Sequence, residues 1–273
     1  MDGRTSESEH DLRLDLDLDL ALALGIADEV DAFTHPAFVG RDLEVDWKQN
    51  ATEVTRIDRD AETMVVDALV AARPHHGAFG EEHGHAGDVD SEWQWVVDPI
   101  DGTSGFVRGI PVWATLIALV HRGRPVLGVV SAPALGTRWW GGVDVGAFVR
   151  TADGERSMTV SRVDRLAEAQ VSITHSSGWD ELGLTDALVG LQRGARRSRG
   201  LGDFWQHMLV AEGAVDLAVD AIGVEPYDLA AIQPIVEAAG GTFTDRHGEP
   251  THRHDSAMSS NGLLHRLAVD ALG

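Results

Sequence analysis

Cysteine is absent from the chain. That excludes a disulfide framework and any thiolate metal site, and it suits a reducing compartment such as the cytoplasm. Basic residues are scarce: 22 Lys and Arg against 44 Asp and Glu give a formal net charge of −22. So acidic a chain argues against a nucleic-acid backbone or an anionic membrane surface as partner. It also repels an anionic substrate at long range, so a phosphate site here needs bound cations to reverse the local field. No apolar run reaches the roughly 18 residues of a membrane-spanning helix. Met1 to His10 is polar and acidic, lacks the basic-then-apolar order of a signal sequence, and reads as a disordered tail.

What is present is 273 residues with 43% hydrophobic content, enough for one large domain or two closely packed ones. The most informative stretch is Trp95-Val96-Val97-Asp98-Pro99-Ile100-Asp101-Gly102-Thr103. Its apolar start reads as a buried strand. Pro99 has no N–H, which predicts that the strand stops at Asp98. Asp98 and Asp101 are hard oxygen ligands, Gly102 allows backbone N–H groups close to an anion, and Thr103 opens a helix aimed at it. Together these suggest Mg²⁺-dependent phosphate chemistry; the plain alternative is a strand followed by an acidic turn.

Elsewhere the pattern predicts an N-terminal helix over 12–33, ended by His35-Pro36, despite a leucine–aspartate alternation that superficially reads as a strand. A helix over 58–73 follows, with Thr55 and Asp58 both suited to its start. Phe79-Gly80-Glu81 reads as a strand end that presents a carboxylate, although a Glu81-Glu82 pair is equally read as solvated charge. His83 and His85 are read as part of a mobile polar loop or as ligands of a transition metal. Segments 112–120 and 126–131 predict a hairpin, and Trp139-Trp140 and 146–149 a further strand pair. In the second half, 171–174 and 215–221 read as strands, and 184–191 and 206–212 as helices, with Asp203 as an N-cap. A helix runs from about Glu225 to Ala239 with Asp228 in its first turn, and a last one starts near Leu263. The four arginines in 193–199 are read either as a solvated loop or as contacts to substrate phosphate or a second subunit.

Asp98-Pro99-Ile100-Asp101-Gly102-Thr103 resembles the signature of the inositol monophosphatase family. Its continuation, Ser104-Gly105-Phe106-Val107-Arg108-Gly109, is most similar to the actinobacterial-type histidinol-phosphatase branch. The resemblance runs from about Leu14 to Leu264 and takes in Gly80-Glu81-Glu82, Thr55-Arg56-Ile57-Asp58 and Tyr227-Asp228-Leu229-Ala230-Ala231, where the family has Trp in place of Tyr227. It implies a layered αβαβα sandwich of the inositol monophosphatase and fructose-1,6-bisphosphatase type. An N-terminal α+β half (11–150) would carry the metal and phosphate site, and a C-terminal α/β half (151–273) would complete it and read the substrate. It implies Glu81, Asp98, the Ile100 carbonyl, Asp101 and Asp228 as ligands of two or three Mg²⁺, with Mn²⁺ a possible substitute. Thr103, oriented by Asp58 and helped by Glu81, would activate water. Lys48 would sit near the phosphate, which Asp101, Gly102 and Thr103 would hold. Asp203 and Glu225 are expected to face a cationic group of the substrate, which favours histidinol phosphate over an uncharged polyol phosphate. The implied molecule is a cytoplasmic homodimer that hydrolyses L-histidinol phosphate. The alternatives are an inositol-1-monophosphatase, another small sugar or nucleotide phosphatase, or a catalytically silent metal-binding structural protein.

Overall fold

The computed structural model describes residues 4–41, 43–47 and 53–273, with side chains from Leu16 onward. The chain begins with helix α1 (Arg4–Gly40), so the stretch expected to be a tail is helical from Arg4. The helix also passes through Pro36 instead of ending there. Its last turn has a reason to persist: Phe38 packs on Phe106 and Trp113, with ring centroids 5.6 and 5.4 Å apart. The leucine–aspartate alternation resolves with helical period. Leu16, Ala23, Ile26, Ala27 and Val30 are buried while Leu18 is exposed, and the buried Asp19 is bonded to Arg73 at 2.6 Å.

A short hairpin, β1 (Val45–Trp47) and β2 (Glu53–Thr55), leads into α2 (Arg56–Ala72). The large sheet contains β3 (Gly77–Gly80), β4 (Gly84–Gly87), β5 (Trp93–Asp101), β6 (Ala114–His121), β7 (Arg124–Ala132), β8 (Thr137–Gly142), β9 (Gly146–Thr151) and β10 (Gly154–Ser157), with α3 (Thr103–Arg108) between β5 and β6. Its order is β10-β9-β8-β7-β6-β5-β3-β4. All its pairings are antiparallel except that of β3 with β5, which is parallel.

The smaller sheet is built from β11 (Gln170–Ile173), β12 (Arg197–Arg199), β13 (Leu217–Val219), β14 (Thr242–Thr244) and β15 (Met258–Ser260), in the order β12-β11-β13-β15-β14. Between its strands lie α4 (Ser177–Glu181), α5 (Thr185–Gly194), α6 (Asp203–Ala211), α7 (Pro226–Leu229) and α8 (Ile232–Ala238), and α9 (His265–Leu272) closes the chain.

The layers follow from which faces are apolar. Helices α1 and α2 cover one face of the large sheet, with Val30, Val65 and Leu69 against Trp95, Val97, Ile117 and Leu127. Helices α6, α7 and α8 fill the space between the sheets, where Phe204, Met208, Leu229, Ile232 and Ile235 meet Leu116, Ala118, Val130 and Trp139. Helices α5 and α9 cover the far face of the small sheet through Leu188, Leu191, Ala268 and Leu272. This is an αβαβα stack. With both faces covered, β6 reads as a continuous apolar run from Leu116 to Val120, not an alternation. Trp139 is core; its indole N–H donates to Glu212 at 2.8 Å.

Two further elements depart from expectation. Strand β5 does not stop at Asp98 but runs to Asp101, with an irregularity in register between those two residues. The bulge accommodates Pro99, whose carbonyl accepts from the Thr115 hydroxyl at 2.8 Å. The helix expected from Glu225 to Ala239 is two helices, α7 and α8. Pro234 lies in the first turn of α8, the one place in a helix where a missing N–H is harmless, so the ladder breaks ahead of it. No described helix is long and apolar enough to cross a membrane.

Candidate active site

The site grows from the parallel pairing of β3 with β5. Gly80, the last residue of β3, lies beside Val97, so Glu81 leaves the sheet next to Asp98 of β5. The Glu81 N–H donates to the Val97 carbonyl at 3.2 Å. The turn after β3 is held by Glu62 of α2, a fully buried carboxylate that accepts from the N–H groups of Glu82 and His83 at 2.7 Å each. Nothing local to Glu62 signals that role, because a lone Glu in an amphipathic helix looks solvated.

The bulge in β5 aims Asp98 and Asp101 to the same end. Asp98 accepts from the Ile100 N–H at 2.9 Å. Asp101 accepts from the Phe204 N–H at 2.8 Å, which ties the start of α6 to the site. Asp228 arrives on α7, fixed by a capping box: its carboxylate accepts from the Glu225 N–H at 2.7 Å while the Glu225 side chain accepts from the Asp228 N–H. One carboxylate oxygen each from Asp98, Asp101 and Asp228 lies within 4.8 Å of the others.

The electrostatics match that crowding. Burial first, then Glu81, Asp101 and Asp228, push the Asp98 carboxyl far above the usual range. Burial, then Asp203 and Asp228, do the same to Asp101. Asp228 is pushed up to about 7, again mainly by burial. The Tyr227 phenol is raised by burial and the surrounding carboxylates. Like charges this close ionise together only with cations between them. The carboxylates of Asp98, Asp101 and Asp228 form an all-oxygen donor set, which suits a hard divalent ion. Among the described residues no comparable cluster forms around His83 or His85. His83 sits instead against the Thr63 hydroxyl and the Arg59 carbonyl, at 3.2 and 3.1 Å.

Thr103 is the first residue of α3, and its hydroxyl lies 3.1 Å from Asp58 Oδ1 and 3.0 Å from the Ile100 carbonyl. Thr55, not Asp58, is the N-cap of α2. Asp58 is the third residue of that capping box, accepting from the Thr55 N–H at 2.8 Å and from its hydroxyl, while its other oxygen faces Thr103. The capping and orienting readings of Asp58 are therefore one arrangement. Gly102 precedes Thr103 at φ 84, and a Cβ there would stand 2.9 Å from the Val112 carbonyl, so only glycine fits.

Across the cleft, Gly202, not Asp203, is the N-cap of α6, and Asp203 has a left-handed backbone at φ 46. Asp203 opens onto the cleft, and its Oδ2 lies 3.4 Å from the place a Gly102 side chain would take. Its carboxyl is pushed up to about 6 by desolvation and then by Asp220, with His207 opposing. Asp220, just past β13, belongs to a buried chain: His207 bridges it (3.0 Å) and Ser259 (2.7 Å). Sequence reasoning placed Asp220 inside a strand and passed over His207; neither sits in a motif. Glu225 is exposed and caps α7. Lys48 lies outside the described residues. Arg197 and Arg199 form the edge strand β12, and no guanidinium of the 193–199 cluster reaches a carboxylate among the described residues. Charge on an exposed edge opposes pairing with another chain.

With this geometry the comparisons are unambiguous about class. A sequence model of the inositol monophosphatase family matches residues 15–272, and the chain belongs to that family. The histidinol-phosphatase of Streptomyces coelicolor is 45% identical over 245 residues, covering 88% of this chain and 91% of that protein. The histidinol-phosphatase of Mycobacterium tuberculosis is 46% identical over 242 residues, covering 88% and 92%. Among solved structures, the extragenic suppressor protein SuhB of Bartonella henselae superposes with a TM-score of 0.84 at 27% identity, covering 93% of this chain and 98% of that one.

Proposed function

We propose that the chain hydrolyses L-histidinol phosphate to L-histidinol and phosphate, with Mg²⁺ as its metal. The observation that carries the substrate is Asp203, an open carboxylate set beside Gly102 where the organic part of a bound phosphate ester would lie. It suits an ammonium or imidazolium and offers little to an uncharged polyol. Two relatives at 45% and 46% identity that bear the name histidinol-phosphatase support the same substrate.

Glu81, Asp98, the Ile100 carbonyl, Asp101 and Asp228 would hold two or three ions, and Mn²⁺ fits the same donors. Bound there, the metal neutralises phosphate charge and lowers the pKa of water. The Gly102 and Thr103 N–H groups, at the start of α3, would hold the phosphate oxygens. Thr103, held by Asp58, orients the attacking water, and Glu81 helps take its proton. The water oxygen bonds to phosphorus in line as the bond to the histidinol oxygen breaks, and that oxygen leaves as the alcohol after gaining a proton. Lys48 is assigned to the phosphate by resemblance alone, as are a division of labour between residues 11–150 and 151–273 and a cytoplasmic homodimer.

The test is kcat/KM for L-histidinol phosphate and inositol 1-phosphate, side by side, with wild type and Asp203→Asn. Asparagine tolerates the left-handed backbone and removes the charge. The expected result is a wild-type preference for histidinol phosphate that falls by ~10-fold or more in the variant. A preference for inositol phosphate that the variant leaves unchanged overturns the substrate assignment.

A further inference from the structure

A cavity of about 460 Å³ lies between strands β5, β3 and β4 at one end of the large sheet, the β6–β7 turn, the start of α7 and the loop before β15. Its volume falls in the range of small-molecule sites, roughly 300–1,000 Å³. Phe79, Val96, Val120 and Pro226 give it apolar walls. His252 also lines it and is only 3% exposed, yet neither ring nitrogen has a hydrogen-bond partner among the described residues. Burial and then Arg253 push this imidazole down to about 4, so it is neutral at physiological pH. A neutral imidazole in the cavity wall, with no hydrogen-bond partner of its own, can bond to a ligand that enters the cavity.

Two cations stand at the mouth. Arg122 is held by Glu92 through bonds of 2.9 and 2.8 Å. Arg253 is exposed, and its guanidinium meets no carboxylate among the described residues. One free planar fork matches one carboxylate; a phosphate dianion would call for more uncompensated charge.

We propose that this cavity is a second ligand site, taking a small organic acid whose apolar or ring-bearing body enters between Phe79 and Pro226 and whose carboxylate meets Arg253. Its occupancy bears on the metal site. Phe79 is two residues before Glu81 and Pro226 two before Asp228, and the Phe79 ring lies 6.2 Å from that of Tyr227. His85, expected in a polar loop, lies instead on β4 with its ring tilted against that of Phe79 at 4.8 Å, and it lines the same cavity.

The test uses benzoate and its neutral counterpart benzamide, titrated by calorimetry into the Mg²⁺-loaded protein, with Mg²⁺ affinity measured at each benzoate concentration. Benzoate is expected to bind with Kd of ~1 mM or tighter. Arg253→Gln weakens it ~10-fold or more, His252→Phe weakens it without unfolding the chain, and benzamide binds poorly to all three proteins. Mg²⁺ affinity changes with benzoate in wild type and not in Arg253→Gln. No binding up to roughly 10 mM, or equal binding to wild type and Arg253→Gln (the result expected of benzoate at the metal site), overturns the proposal. Binding that leaves Mg²⁺ affinity unchanged overturns the coupling. Neither readout depends on which phosphate ester is the substrate.

Discussion

Asp58 holds two jobs with one carboxylate. Its oxygens take the Thr55 N–H and hydroxyl on one side and the Thr103 hydroxyl on the other, and the group is fully buried. A carboxylate so occupied has little capacity left as a base, so it acts through Thr103. Thr103→Ala should therefore lower kcat by ~10²-fold or more with KM little changed, and leave thermal stability intact. Asp58→Asn should lower kcat and also destabilise the fold by about 1–3 kcal/mol, because an amide NH₂ then faces donors. The double variant should be no slower than Thr103→Ala. Steady-state kinetics with thermal melts checks all three, and multiplicative losses in kcat would give Asp58 a separate role. At this scale legibility depended on locality. Asp98, Gly102 and Thr103 are readable because ligand type, backbone freedom and helix start lie within a few residues. Glu62, His207 and Asp220 were not, because a buried polar group is defined by partners from distant segments, here 20, 52 and 13 residues away for Glu62–Glu82, His207–Ser259 and His207–Asp220.

Three prolines show what sequence does and does not say about elements. Pro36 and Pro99 are punctuation by local rules, yet α1 and β5 continue through them because packing and a bulge absorb the missing N–H. Pro234 does break a helix, and the break matters for function, since α7 is then a separate short piece that carries Asp228. What seats that piece is Gly128 on β7. A Cβ there would stand 2.0 Å from the Ala231 carbonyl, in the link between α7 and α8. Backbone cannot swing aside as a long side chain can, so Gly128→Ala must push the link off the sheet. The expected outcome is a loss of about 1–3 kcal/mol or more, with weaker Mg²⁺ binding because Asp228 moves with it. Denaturant melts and metal titration check this; an unchanged Mg²⁺ affinity in a destabilised variant would separate the packing from the site.

For the molecule as a whole, the layer order was legible because two halves with different strand and helix rhythms each need both sheet faces covered. How the carboxylates of those layers respond to pH was not, because it depends on their convergence. In the metal-free protein the Asp203 carboxyl lies at about 6 and that of Asp228 at about 7, with Asp98 and Asp101 raised as well. Each is raised above the unfolded value, so between the two values the folded chain holds more protons than the unfolded one. Stability contributed by these groups is then greatest at low pH and falls as pH rises through the folded values. His252, at about 4, and His265, also lowered, act in the opposite sense, but only up to the ordinary histidine range near 6.5. The interval from about 6.5 to 8 therefore isolates the site. Chelator-treated protein should lose Tm across it, Mg²⁺-saturated protein should not, and the gap between them should widen with pH as the ions meet ionised ligands. Asp228→Asn, which removes the group titrating near 7, should flatten the metal-free curve. A metal-free Tm that stays level or rises over that interval in wild type would mean the four carboxylates are not held together without their ions, and that metal binding assembles this end of the two sheets instead of filling it.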